Sequence, residues 1–152
     1  MSREVKFRIW DKTSNRMLYQ DDFERVELDT KNKMVSLVRS ETIESSYVLD
    51  YEDGIEAEIM QYTGLKDKSG KEIYEGDIVK LIPLNSERLK ELGRKWYEHL
   101  KVEWGAYSDG EYVTNVETWM IGINPLSEEL LDETVEVIGN IYENPELLEG
   151  ES

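Results

Sequence analysis

The sequence predicts an α+β fold, mostly antiparallel β, with one amphipathic helix. Three observations carry that expectation. Short stretches alternate apolar and polar residues with a period of two, the pattern of strands with one buried face. Polar segments rich in Asp, Asn, Ser and Gly separate them at hairpin distances. One stretch, after Asn85 and Ser86, instead spaces its apolar residues by three and four.

Taken in order, Val5, Phe7 and Ile9 alternate with Lys6, Arg8 and Trp10, and Asp11 to Asn15 reads as the turn into a return strand, Arg16 to Gln20. Phe23 to Leu28 and Met34 to Arg39 flank the turn Asp29 to Lys33. Thr42 to Leu49 is a further strand, and Asp53-Gly54 marks a tight turn before the strand Ile55 to Tyr62. Gly64 to Gly70 is a polar loop. It lacks the order of a phosphate-binding loop, and no helix follows it. Glu72 to Asp77 then leads into the apolar strand Ile78 to Pro83.

Asn85 and Ser86 are good helix caps, and Leu89, Leu92, Trp96 and Leu100 follow on one stripe, which predicts about four helical turns over 85–101. Gly93 lies inside that pattern and weakens it by roughly 1 kcal/mol relative to alanine. His99, the only histidine, would sit in the last turn, where its cationic form favours a helix C-terminus. Val102 to Tyr107, Glu111 to Asn115, Val116 to Ile121 and Thr134 to Tyr142 read as strands. Ser127 caps a short turn, and Asn144-Pro145 opens a final helical turn.

Composition narrows the function. The 152 residues carry 34 acids and 18 bases, a formal charge of −16, which argues against direct nucleic-acid binding and against an anionic membrane surface. Without cysteine there are no disulfides, thiolate nucleophiles or Cys-based zinc sites, and one histidine leaves no two-histidine metal site. No cofactor or metal is expected. No apolar stretch is long enough for a membrane span, and the start lacks a signal-peptide core, so the expected location is the cytoplasm. The charge is uneven: residues 102–152 hold 13 acids and no Lys or Arg, while 87–101 set five bases against three acids. A basic partner, or a basic part of the same protein, is the natural complement.

Two longer stretches, Met60 to Val79 and Val137 to Leu148, resemble the central and C-terminal signatures of the YopX family of phage and prophage proteins, and Lys6 to Asp11 followed by Met17 resembles its opening. The resemblance implies a phage-encoded, β-rich protein with a small SH3-like barrel in its second part, and it implies no established activity. The expected organisation is a β-rich region over 1–62 and the barrel over 63–152, with the helical insertion at 85–101, packed as one compact unit. In such a barrel Gly76 would bend the chain into its strand, Ile78, Val79 and Leu81 would face inward, and Gly139-Asn140 would form a bulge.

Candidate chemistry is sparse. The acid pairs Asp21-Asp22, Glu52-Asp53 and Glu128-Glu129 follow no closed cation-binding order and read as solvated surface. Trp104, Tyr107, Tyr112 and Trp119 cluster after the helix beside Asp109 and Glu111. They could form a groove for an extended, basic peptide, or they could be core. The helix stripe of Leu89, Leu92, Trp96 and Leu100 could cover its own barrel or join a second copy. The expectation is a non-enzymatic protein-interaction module, with an acidic DNA mimic using acids two apart, such as Glu56 and Glu58, as the alternative, and a metal-dependent hydrolase behind both.

Overall fold

A computed structural model describes residues 4–39, 46–107, 116–122, 124–127 and 134–149. Among the described residues the chain is mostly antiparallel β, with one short α-helix described over its whole length, and the chain divides into two compact units, Met1–Tyr62 and Thr63–Ser152.

In the first unit β1 (Phe7–Asp11) is flanked by β2 (Arg16–Leu18) and by the first half of β6 (Ala57–Lys66), with Phe7 opposite Gln61 and Asp11 opposite Ala57. β3 (Arg25–Asp29), β4 (Met34–Val38) and β5 (Ser46–Asp50) form a meander. Ile9, Leu18, Phe23, Val35, Leu37, Leu49 and Ala57 pack into one core drawn from both groups of strands. Aspartates set the turns. Asp11 accepts bonds from the Thr13 N–H (2.9 Å) and hydroxyl (2.6 Å), and Asp29 accepts from the N–H groups of Lys31 and Asn32. Val5, expected inside, is exposed because β1 begins only at Phe7, whereas Arg8 on the opposite face is buried. Of the strand expected over 42–49, residues 42–45 lie outside the described residues.

In the second unit β7 (Glu72–Tyr74) lies beside the rest of β6. A five-stranded antiparallel sheet follows in the order β11 (Asn124–Pro125), β10 (Val116–Ile121), β9 (Glu98–Tyr107), β8 (Asp77–Leu81), β12 (Val135–Asn140). Its core joins Ile73, Val79, Leu81, Val102, Trp119, Ile121, Leu126, Val135 and Val137. Ile78, Val79 and Leu81 are all buried, as the apolar run predicts. Gly76 makes the bend at φ 83°, its N–H bonded to Val102 and its carbonyl to Ile141. The register of β12 on β8 slips between Val137 and Gly139, the expected bulge. At that bulge Gly139 is required by a close approach: a Cβ there would lie 2.5 Å from Asn144 Oδ1. Gly139→Ala is therefore expected to cost about 1–3 kcal/mol by overpacking, read from urea unfolding midpoints.

β12 is an edge strand, and its outer side is covered. The Asp67 carboxylate accepts the Val137 N–H at 2.8 Å, and the Lys68 N–H donates to the Val135 carbonyl at 3.2 Å. The polar loop thus occupies backbone groups that an open edge would offer to another chain.

The helix departs most from expectation. α1 spans only Ser86–Glu91, not 85–101. Gly93, at φ 68°, is its stop: the Arg94 N–H bonds the Leu89 carbonyl at 2.8 Å and the Gly93 N–H bonds the Lys90 carbonyl at 3.0 Å, the paired bonds of a Schellman cap. The chain then runs through an irregular stretch into β9. His99 therefore lies on a strand, not at a helix C-terminus, and its Nδ1–H donates to the Leu147 carbonyl at 3.0 Å.

Candidate functional site

The hairpin β9–β10 carries the aromatic residues singled out by sequence. Trp104 and Trp119 stand directly opposite in register, so their side chains share one face, and their rings meet edge to face with centroids 5.0 Å apart at 78°. Their environments differ. Trp119 is 8% exposed and belongs to the core, while Trp104 keeps 51% of its surface in solvent. Trp119 is thus corrected from a contact residue to the support beneath one. Its Nε1 is buried with no hydrogen-bond partner among the described residues, so its place rests on packing. Tyr107 lies on β9 opposite Val116. Asp109, Glu111 and Tyr112 fall outside the described residues, as do Glu128 and Glu129.

The expected self-association stripe is not a stripe. Leu89 is half-buried and Leu92 exposed at the end of α1, Trp96 lies past Gly93, and Leu100 is on β9 against the core of the second unit. Two signals in the sequence favoured this outcome. Gly93 precedes basic residues in the position of a helix stop, and Trp96, Glu98, Leu100, Val102 and Trp104 fall at strand spacing.

In place of the stripe stands a cluster that sequence reading did not anticipate. Trp96 and Tyr97 meet edge to face, with centroids 5.0 Å apart. The Lys80 ammonium lies 4.8 Å from the Trp96 centroid and 4.9 Å from that of Tyr97, Lys90 lies 4.1 Å from Trp96, and Lys95 lies 5.5 Å from Tyr97. Each such contact is worth roughly 0.5–1 kcal/mol at an exposed site. Only Lys80 comes from outside the insertion, and β8 holds it opposite His99.

The residues of the two longer signature stretches serve the scaffold. Asp67 accepts from the N–H groups of Ser69, Lys71 and Val137 and from the Ser69 hydroxyl. Burial pushes its carboxyl upward, but those bonds outweigh it and hold the pKa below the ordinary aspartate value. Asp77 Oδ2 closes the β7–β8 turn by accepting the Tyr74 N–H at 2.7 Å. Asn140 Oδ1 accepts the N–H groups of Tyr142 and Glu143, and Asn144 bonds the Asn140 N–H instead of capping the 3₁₀ turn Pro145–Leu147.

Among the described residues no three His, Asp or Glu side chains gather where a metal ion could sit, and no helix is long and apolar enough to cross a membrane. In the first unit Val5, Phe7, Gln20, Val26 and Leu28 line an open pocket of about 320 Å³. Glu56 and Glu58, the acids two apart, are engaged within the chain: Glu56 accepts the Asp50 N–H at 2.8 Å, and Glu58 pairs with Lys12 at 3.3 Å.

These features define a small antiparallel-β protein whose signature residues hold turns and a strand edge, with aromatic residues displayed on its second unit. The family model described as "YopX protein" matches residues 6–149, and the chain belongs to the YopX family. A similar solved structure is the crystal structure of protein EF1440 from Enterococcus faecalis, with 30% identity, a TM-score of 0.58, and coverage of 97% of this chain and 100% of that one. No curated protein matches.

Proposed function

We propose that this protein is a phage accessory factor acting in the host cytoplasm as a non-enzymatic interaction module, and that the β9–β10 face captures an extended segment of a basic protein partner. The observation that carries this reading is the contrast within the tryptophan pair: a half-exposed indole fixed on a buried one. A rigid, exposed aromatic anchor loses little conformational entropy on binding, and such anchors dominate protein interfaces. The acidic second half supports the choice of a basic partner, since complementary charge raises association rates and selects among ligands. In this reading the second unit is a small SH3-like barrel, with the loop at Asp67 and Lys68 filling its β12 edge. Synthetic proline-rich peptides carrying Lys or Arg, titrated while tryptophan fluorescence is followed, test it. Binding by the wild type that falls at least tenfold in Trp104→Ala, with the variant still folding cooperatively, is the expected result. Equal binding by wild type and variant, or none by either, overturns it.

A further inference from the structure

In the second unit the edge strand β12 is covered by the loop at Asp67 and Lys68, whereas β3, the end strand of the meander in the first unit, is paired only with β4 among the described residues. An open row of backbone N–H and C=O groups is a template for another strand unless the chain blunts it with proline, lysine, a bulge or an inward-pointing charge. β3 has none of these. Its sequence is Arg25-Val-Glu-Leu-Asp29, its register on β4 is unbroken, and its charges all lie on the exposed face. Its inward residues, Val26 and Leu28, are apolar and half-buried against the core of the unit. Those two side chains also line the open pocket of about 320 Å³, which Val5, Phe7 and Gln20 complete. Val5 keeps 62% of its surface in solvent. An unguarded edge and an unfilled apolar hollow thus meet at the same two residues.

We propose that β3 and this pocket form a strand-addition site, at which an extended segment of another protein pairs with β3 and sets its inward apolar side chains beside Val26 and Leu28. A strand paired with β3 lies about 4.8 Å from it and alternates its residues between the two faces. Every second side chain therefore turns towards the pocket, and those between stand beside Arg25, Glu27 and Asp29. Backbone bonds supply the affinity, and the alternate side chains select the sequence. Charge fixes the rest of that choice. Residues 20–29 hold five acids and one base, all exposed, and the base, Arg25, is already bonded to Glu27 at 2.7 Å. The segment that fits therefore alternates apolar residues with Lys or Arg. The same acids disfavour a second copy: an antiparallel pairing of β3 with itself about its midpoint sets Glu27 against Glu27, and like charges directly opposite are destabilising. The site lies wholly in the first unit and does not depend on the Trp104 face.

The probe is a short synthetic peptide alternating Val and Lys, added to isotope-labelled protein while the backbone amide shifts are followed. Shifts are expected to concentrate on β3 and on Val5, Phe7 and Gln20. The same peptide with its backbone nitrogens methylated keeps its side chains and charge but cannot donate to β3. It is expected to bind at least tenfold more weakly, and so is a peptide alternating Val and Glu. Glu24→Lys/Glu27→Lys changes only exposed side chains, and it is expected to weaken the Val–Lys peptide at least tenfold. Circular dichroism and unfolding midpoints check that this variant folds. Equal affinity for the methylated and unmethylated peptides overturns the proposal, because backbone pairing is then absent. So do shifts centred away from β3, an affinity indifferent to the charge reversal, or no binding by the wild type. Self-association through β3 without peptide, seen by sedimentation velocity, overturns it in favour of a second copy.

Discussion

Replacing Asp67 by alanine is expected to destabilise the fold by about 3 kcal/mol, a large fraction of a typical 5–15 kcal/mol. The side chain is buried and accepts four hydrogen bonds, so its loss strands the Val137 N–H on an edge strand and releases the loop at 67–71 between β6 and β7. A buried donor left unsatisfied costs about 1–3 kcal/mol, and hydrogen bonds to a charged group contribute about 1.5–3 kcal/mol. Asp67→Asn keeps an acceptor and is expected to lose less. The sign of the pH dependence follows from the depressed pKa. Folding binds the carboxylate form more favourably, so the contribution is fully present above the unfolded-state pKa of about 3.9 and is lost as pH falls through the lower folded value. Urea unfolding repeated from pH 7 down to pH 3 should show wild-type stability falling more steeply than that of Asp67→Asn. Parallel curves for the two proteins would remove the carboxylate from this role.

The second large effect is expected at Trp119. Truncation to alanine removes the largest side chain of the second core and should cost about 3–5 kcal/mol. Trp119→Phe should cost much less, because the indole N–H has no hydrogen-bond partner among the described residues to lose. The neighbouring Trp104→Ala should cost much less, about 0.5–1.5 kcal/mol, since it gives up the edge-to-face contact with Trp119 but opens no cavity in the core. A stability loss at Trp104 as large as that at Trp119 would show that the exposed ring is structural, and the proposed anchor would be lost.

How far the sequence could be read depended on whether local or distant contacts decided each element. The hairpins at Asp11 and Asp29 are written in neighbouring residues, since an aspartate that accepts the following N–H groups needs nothing remote. The bulge at Gly139 was legible for a similar reason, because glycine breaks an apolar run. The helix failed because leucine and tryptophan at three- and four-residue spacing also suit a capped turn followed by a strand. Gly93 and the pairing of Leu100 with Val79 decided between them. Of the candidate site, aromatic identity was readable but burial was not: Trp104 and Trp119 stand opposite each other on one face of the hairpin, and only packing against the rest of the second unit decides which of them meets the core. The lysine–aromatic cluster was hidden because Lys80 reaches Trp96 and Tyr97 only once β8 and β9 have paired.

Leu81 and Glu98 face each other across the β8–β9 pair, so the sixteen residues between them leave the sheet and return to the same place. Architecturally the whole segment is the loop of one hairpin. Lengthening a loop costs little, since each doubling adds only about 0.6 kcal/mol of closure entropy. Evolution can therefore rewrite this excursion without disturbing the strands that frame it. Trp96, Tyr97, Lys90 and Lys95 all lie on it, and the core residues of both units lie elsewhere. The molecule keeps its scaffold and much of its displayed chemistry on separable lengths of chain, an arrangement that lets one frame carry different surfaces in different relatives.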